Sequence, residues 1–159
     1  MKSCFEAVLG IILAVILHAI LGKISASLLF IFNAFSGVVL YFSLMKHEVF
    51  GALMGTVCGL LQDSFSLGIF GVGGLTKTLL GFTTGFISRK INVAPVARNF
   101  VFILILSAIE LALWKLLVFF LFRERFAIGG GLVFFQPLTA AFFVTLLFQV
   151  MRRKRGESV

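Results

Sequence analysis

Charged residues are scarce in this chain, and their scarcity excludes most soluble folds. Only 13% of the 159 residues are charged, whereas 60% are hydrophobic and the mean hydropathy is +1.15. A soluble domain of this size leaves much of its surface in water and cannot bury so many apolar side chains. The 21 phenylalanines, against one tryptophan and one tyrosine, suit a surface that faces lipid. The sequence therefore predicts an integral membrane protein.

The residue patterns of catalytic and metal sites are also missing. The chain has no Ser-His-Asp set and no metal-ligand spacing, and the segment Gly71-Val72-Gly73-Gly74 is not directly followed by the Lys-Ser/Thr of a phosphate-binding loop. Cys4 and Cys58, the two cysteines, fall in or beside apolar segments, which favours small packing residues over a disulfide. We expect no enzymatic activity, no cofactor and no metal.

Apolar runs of suitable length predict six transmembrane helices in one domain, residues 1–151, followed by a basic cytoplasmic tail, residues 152–159. The fold class is all-α, a polytopic membrane bundle. The third helix is short for a full crossing. It can still cross if the loop that follows it is tucked into protein. The predicted helices cover residues 4–21, 24–45, 49–61, 69–87, 96–122 and 132–151.

The net charge of +8 follows the pattern of membrane topology and argues against nucleic acid as a partner. If both termini are cytoplasmic, nine lysines and arginines lie inside, three lie outside, and two lie within helices. The tail predicts an anchor on anionic lipid, and a docking site for a cytoplasmic partner is the alternative. The basic residues expected inside are Lys2, Lys46, Arg89, Lys90, Arg98, Arg152, Arg153, Lys154 and Arg155.

Glycines recur four residues apart on either side of a short polar segment in the middle of the chain. Gly51, Gly55 and Gly59 precede this segment, and Gly81 and Gly85 follow it. Residues at this spacing share one helix face, and small side chains there let two membrane helices approach closely. We expect the third and fourth helices to pack on each other; an interface with another membrane protein is the alternative.

Ionisable side chains at membrane depth require a partner or a water-filled cavity. We expect Lys77 to pair with Asp63 or with Glu110, and Asp63 to accept backbone hydrogen bonds at the start of the fourth helix, where the helix dipole favours an anion. Lys115 is expected either to reach the interface or to face the bundle, and His18 to be a packing residue. Structural pairing, proton transport and contact with a partner protein remain open roles for the charged groups.

The segments GLLQDSFSLGIFG, residues 59–71, and GLTKTLLGF, residues 74–82, resemble the central motif of the rod shape-determining MreD family. That family commonly shows GLxxD, a short Ser/Gly-rich loop, LG, and then a glycine-bearing helix with a polar residue. Residues 65–67 of this chain are poorer in glycine and proline than the family loop. Outside this stretch the likeness extends only to length, hydropathy and the basic tail.

The resemblance implies a non-enzymatic scaffold in the bacterial inner membrane that binds an MreC-type single-span protein. The same machinery includes MreB, RodA and a class B penicillin-binding transpeptidase. The family's topology is similar to that of the substrate-binding subunits of energy-coupling-factor vitamin transporters, which supplies the alternative function. Sparse polar groups in the outer loops and a single tryptophan, Trp114, favour the scaffold. The residues expected to serve packing or partner contacts are Gly51, Gly55, Gly59, Asp63, Gly68, Gly71, Gly74, Lys77, Gly81 and Gly85.

Overall fold

Helices make up all the regular structure in the computed structural model, which describes residues 2–65, 71–91, 93, 95–122 and 130–154. The all-α class is therefore confirmed for these ranges. The elements are α1 (Lys2–Ile24), α2 (Ala26–Ile31), α3 (Ala34–Met45), α4 (Glu48–Phe65), α5 (Val72–Lys90), α6 (Val96–Phe122), a 3-10 turn (Gly130–Phe135) and α7 (Gln136–Lys154).

Four stretches of the described chain are long and apolar enough to cross a membrane. This finding agrees with the expectation of a membrane protein. Neither α4 nor α5 is among the four, because glycines, hydroxyls and charges lower their hydropathy. The four stretches are Phe5–Ile24, Ser27–Met45, Val96–Leu121 and Val133–Met151.

The predicted second helix, residues 24–45, is not continuous, and the prediction was wrong on this point. Phe32 and Asn33 both have extended backbone between α2 and α3. The Asn33 side chain accepts a hydrogen bond from the backbone N–H of Ser36 at 3.2 Å and so caps the start of α3. An apolar run hides such a break because hydropathy does not register a single capping residue.

The predicted third helix ends too early at Leu61. In the structure α4 continues through the polar residues to Phe65, and it has 18 residues. Ser64 donates to the Leu60 carbonyl within the same helix, and Asp63 points into the protein, so neither side chain needs a loop. At 1.5 Å per residue α4 is about 27 Å long, close to the thickness of a bilayer core.

The antiparallel pair of α4 and α5 is the closest helix pair of the bundle. Helix α3 packs against both members of the pair, and α6 and α7 extend the bundle beyond them. Phe35, Leu40, Cys58, Ile103 and Val144 meet in the apolar core. Helix α1 lies at the edge against α2 and α3, with only 11% of its span buried.

Two ion pairs mark one end of the bundle. Lys46 lies 3.9 Å from Glu6, and Arg89 lies 3.0 Å from Glu48. These contacts bring together the beginning of α1, the end of α3, the beginning of α4 and the end of α5. The junction of Asp63 with α5 therefore lies at the opposite end of the α4–α5 pair.

Candidate functional site

The glycines of α4 and α5 form a seam along which the two backbones touch. At most of these glycines a Cβ atom would overlap backbone atoms of the other helix; at Gly51 it would lie 2.5 Å from the Gly81 carbonyl oxygen, whereas at Gly73 and Gly74 it would meet side chains of α4. The predicted packing of these two helices is confirmed. The glycines contact the other helix of the pair within the chain, so the seam is not available to another protein. The facing pairs are Gly51 with Gly81, Gly55 with Lys77, Gly59 with Gly73, and Gly85 with Glu48.

Asp63 caps the beginning of α5 from the end of α4. Its carboxylate accepts hydrogen bonds from the backbone N–H groups of Gly71 at 2.8 Å, Gly73 at 3.2 Å and Gly74 at 3.1 Å. Gly71 is the N-cap residue of α5 and has no side chain to cap it, and its positive φ of 100° favours glycine. Asp63 thus replaces the missing capping side chain, as the sequence predicted. The predicted packing residue Gly68 lies outside the described residues.

The partner of Lys77 is Glu110. Its ammonium group lies 2.7 Å from Glu110 Oε1, and both side chains are buried, with 3% and 6% exposure. The Ser36 hydroxyl donates to the same oxygen at 2.8 Å. Ser36 belongs to the first turn of α3, so the positive end of that helix dipole also faces the carboxylate. Three helices therefore converge on one buried anion.

The helix break next to this ion pair has its backbone groups satisfied by protein. Thr139 of α7 donates its hydroxyl proton to the Ile31 carbonyl, which ends α2, at 2.6 Å. Asn33 caps the N–H of Ser36 on the other side of the break. Irregular backbone at membrane depth requires such partners because lipid supplies none. The break is thereby tied to α7, and α3 is tied to α6.

The remaining predicted polar residues do not join this centre. Lys115 lies over the ring of Phe134, 4.2 Å from its centroid, and so packs against the 3-10 turn. The His18 ring packs against the rings of Phe35 and Phe65, with centroid distances of 5.2 and 5.4 Å, as expected for a packing residue.

The first residues of the basic tail are helical. Helix α7 continues through Arg152 and Arg153 to Lys154, and the Arg153 side chain is exposed. Arg155 lies outside the described residues.

The residues that sequence reasoning missed are Ser36, Asn33 and Thr139, because hydroxyl and amide groups inside apolar runs give a weak signal. An Asn directly before an apolar helical run is a recognisable N-cap signal, and Asn33 is the signal that could have identified the break. Within the described ranges no group of three His, Cys, Asp or Glu side chains is placed to hold a metal ion. The chain matches no protein-family model, no curated protein and no solved structure.

Proposed function

We propose that this chain is a non-enzymatic, six-span membrane scaffold of the MreD type, part of the bacterial cell-elongation machinery. The observation that supports the proposal is that the described residues of the motif make structural contacts. Asp63 caps a helix, the glycines let two backbones touch, and Lys77 is neutralised by Glu110. Each of these residues has a structural partner, and that pattern suits a scaffold better than a catalyst.

The lengths of α4 and α5 support six crossings. With 18 and 19 residues, they extend about 27 and 28 Å, near the bilayer core thickness of about 30 Å. Their glycines face each other, and the side chains of Asp63 and Lys77 are buried, so low hydropathy does not put these groups into lipid. The ion pairs of Glu6 and Glu48 with basic residues at one end suit a cytoplasmic face, with both termini on that side in the inner membrane.

An MreC-type partner would bind the lipid-facing surface, because the glycine seam is occupied within the chain. Exposed apolar residues are present on α1, such as Leu13, and on α4, such as Leu53. MreB, RodA and the class B penicillin-binding transpeptidase would be reached through the same assembly. Exposed cationic groups at the basic end, including Lys90 and Arg153, suit contact with anionic lipid.

Co-purification and complementation test this function together. The chain should retain an MreC-type protein through detergent purification and should restore rod shape to cells that lack their own MreD-type protein. Leu13→Trp and Leu53→Trp change two different lipid-facing surfaces without touching the core. We expect one of them to release the partner at unchanged thermal stability.

A vitamin-transport function predicts different results in the same preparations. A thermal-shift screen would then find strong stabilisation by a vitamin-like molecule, and the chain would co-purify with a transport ATPase module instead of an MreC-type protein. That outcome, with no rescue of cell shape, would refute the scaffold.

A further inference from the structure

Three buried polar side chains on α6 and α7 have no hydrogen-bond partner among the residues that the structure describes. They are the amide of Asn99, at 0% exposure, and the hydroxyls of Ser107 and Thr145, at 4% and 5%. Both the oxygen and the nitrogen of the Asn99 amide are unpaired. Buried polar groups in native proteins nearly always have a protein or water partner, and lipid cannot provide one. These atoms therefore point to a polar ligand in the interior.

Ser107 and Thr145 lie near the level of the buried ion pair. Ser107 is three residues before Glu110 in α6, so the two share a helix face. Thr145 directly follows Val144, whose methyl group would lie 3.8 Å from a Cβ at Gly37. Gly37 is the neighbour of Ser36, which hydrogen-bonds to Glu110. Helices α6 and α7 pack on each other, so the two unpaired hydroxyls belong to neighbouring helices.

We propose that ordered water binds at these buried groups, with one water shared by Ser107 and Thr145 between α6 and α7 and another bound to Asn99. Water is the ligand that the chemistry favours, since hydroxyl and amide groups both donate and accept, and a buried water needs two to four such partners. A bound cation is disfavoured because the ammonium group of Lys77 already neutralises Glu110. This inference does not rest on the proposed scaffold function.

A double-mutant cycle tests the shared water. The variants are Ser107→Ala, Thr145→Val and their combination, compared by melting temperature in detergent. If the two hydroxyls share a water, each single substitution lowers the melting temperature. The double variant then melts only slightly below the less stable single variant, because every one of the three variants loses the same water site. In a dry interface both substitutions remove an unpaired polar atom, and the melting temperature rises additively. Additive losses would also refute the shared site.

Thr84→Val is the matched control for the cycle. Thr84 is a fully buried threonine of α5 whose hydroxyl already donates to the Leu80 carbonyl at 2.6 Å. It needs no water, so its effect should add to that of Ser107→Ala. The opposite outcome is that the Thr84 and Ser107 substitutions are as non-additive as those of Ser107 and Thr145. That result would mean that the substitutions loosen the whole bundle, and it would overturn the shared water.

Solid-state NMR in deuterated lipid tests the second water directly. Magnetisation transfer from water to the side-chain amide of Asn99 should be detectable although the side chain is fully buried. The signal is assigned by its loss in Asn99→Leu. A resolved Asn99 amide signal without transfer from water would show that the site is dry and would overturn the proposal for Asn99.

Discussion

Replacing Asp63 by alanine tests the cap that joins α4 to α5. The substitution leaves three N–H groups, those of Gly71, Gly73 and Gly74, without their acceptor. Two of these donors are buried, and the N-cap glycine cannot replace the lost oxygen. The alanine methyl group itself fits, because it is smaller than the carboxylate. We therefore expect a loss of stability without a steric clash.

The size of the loss follows from the number and burial of the donors. Removing an ordinary N-cap costs about 0.5–2 kcal/mol, and leaving one buried donor unpaired costs about 1–3 kcal/mol. Water reaches Gly71 more readily than the other two donors because it is only half-buried, so we expect a total of about 3 kcal/mol. For a chain of this size that corresponds to a fall of about 6–12 °C in melting temperature.

Cys58 provides the assay. This thiol lies in α4 at 0% exposure, and a thiol-reactive fluorescent dye reaches it only when the helix pair opens. Cys4→Ser makes it the single reporter. Ser64→Ala is the matched control, since Ser64 is the exposed neighbour of Asp63 and bonds only within its own helix. Asp63→Asn should fall between the two because its amide retains one acceptor oxygen.

The cap would be refuted by equal melting temperatures for Asp63→Ala and Ser64→Ala. It would also be refuted if Asp63→Asn were as damaging as alanine while retaining the fold, since the remaining oxygen would then contribute nothing.

Gly55→Ala should destabilise the protein strongly, because the new methyl group would overlap the Lys77 carbonyl. Gly37→Ala is the control, since its methyl group would meet only an ordinary contact at 3.8 Å. Dye access to Cys58 measures the stability of both variants, and equal effects would contradict the seam. Lys77→Met or Glu110→Gln alone should cost about 3–5 kcal/mol by leaving a buried charge unpaired, and combining the two should recover part of the loss in the same melting assay; additive losses would contradict the pairing. Thr139→Val should lower the melting temperature by about 2–8 °C, because it strips the carbonyl that ends α2 of its donor. Unchanged stability would show that the break needs no support from α7.

Local spacing and capping chemistry made part of the site predictable. The glycine seam follows from residues four apart, and the role of Asp63 follows from an anion placed before a helix that has no capping side chain. The choice between Asp63 and Glu110 as the partner of Lys77 did not follow, because it depends on how α6 packs against α5. Only the fold brings together residues 33 positions apart in the chain.

Hydropathy gave the wrong helix boundaries where a few polar atoms determine the backbone conformation. Asn33 interrupts an apolar run that otherwise predicts one helix, and Thr139, more than 100 residues away, completes the break. Conversely, Gln62 and Ser64 resemble loop residues but continue α4, and the Ser64 hydroxyl donates to the Leu60 carbonyl of its own helix. In both cases hydrogen-bond partners, not average polarity, set the helix boundaries.

The pairing of α4 with α5 has a consequence for biogenesis. Each helix alone falls short of the apolarity found in the four candidate spans, and its glycine face is covered by the other helix of the pair. A newly made α4 that met lipid by itself would expose the Asp63 carboxylate and the bare backbone of the seam, at a cost of several kcal/mol. We therefore expect the translocon to hold α4 until α5 has emerged and to release the two into the bilayer as one hairpin.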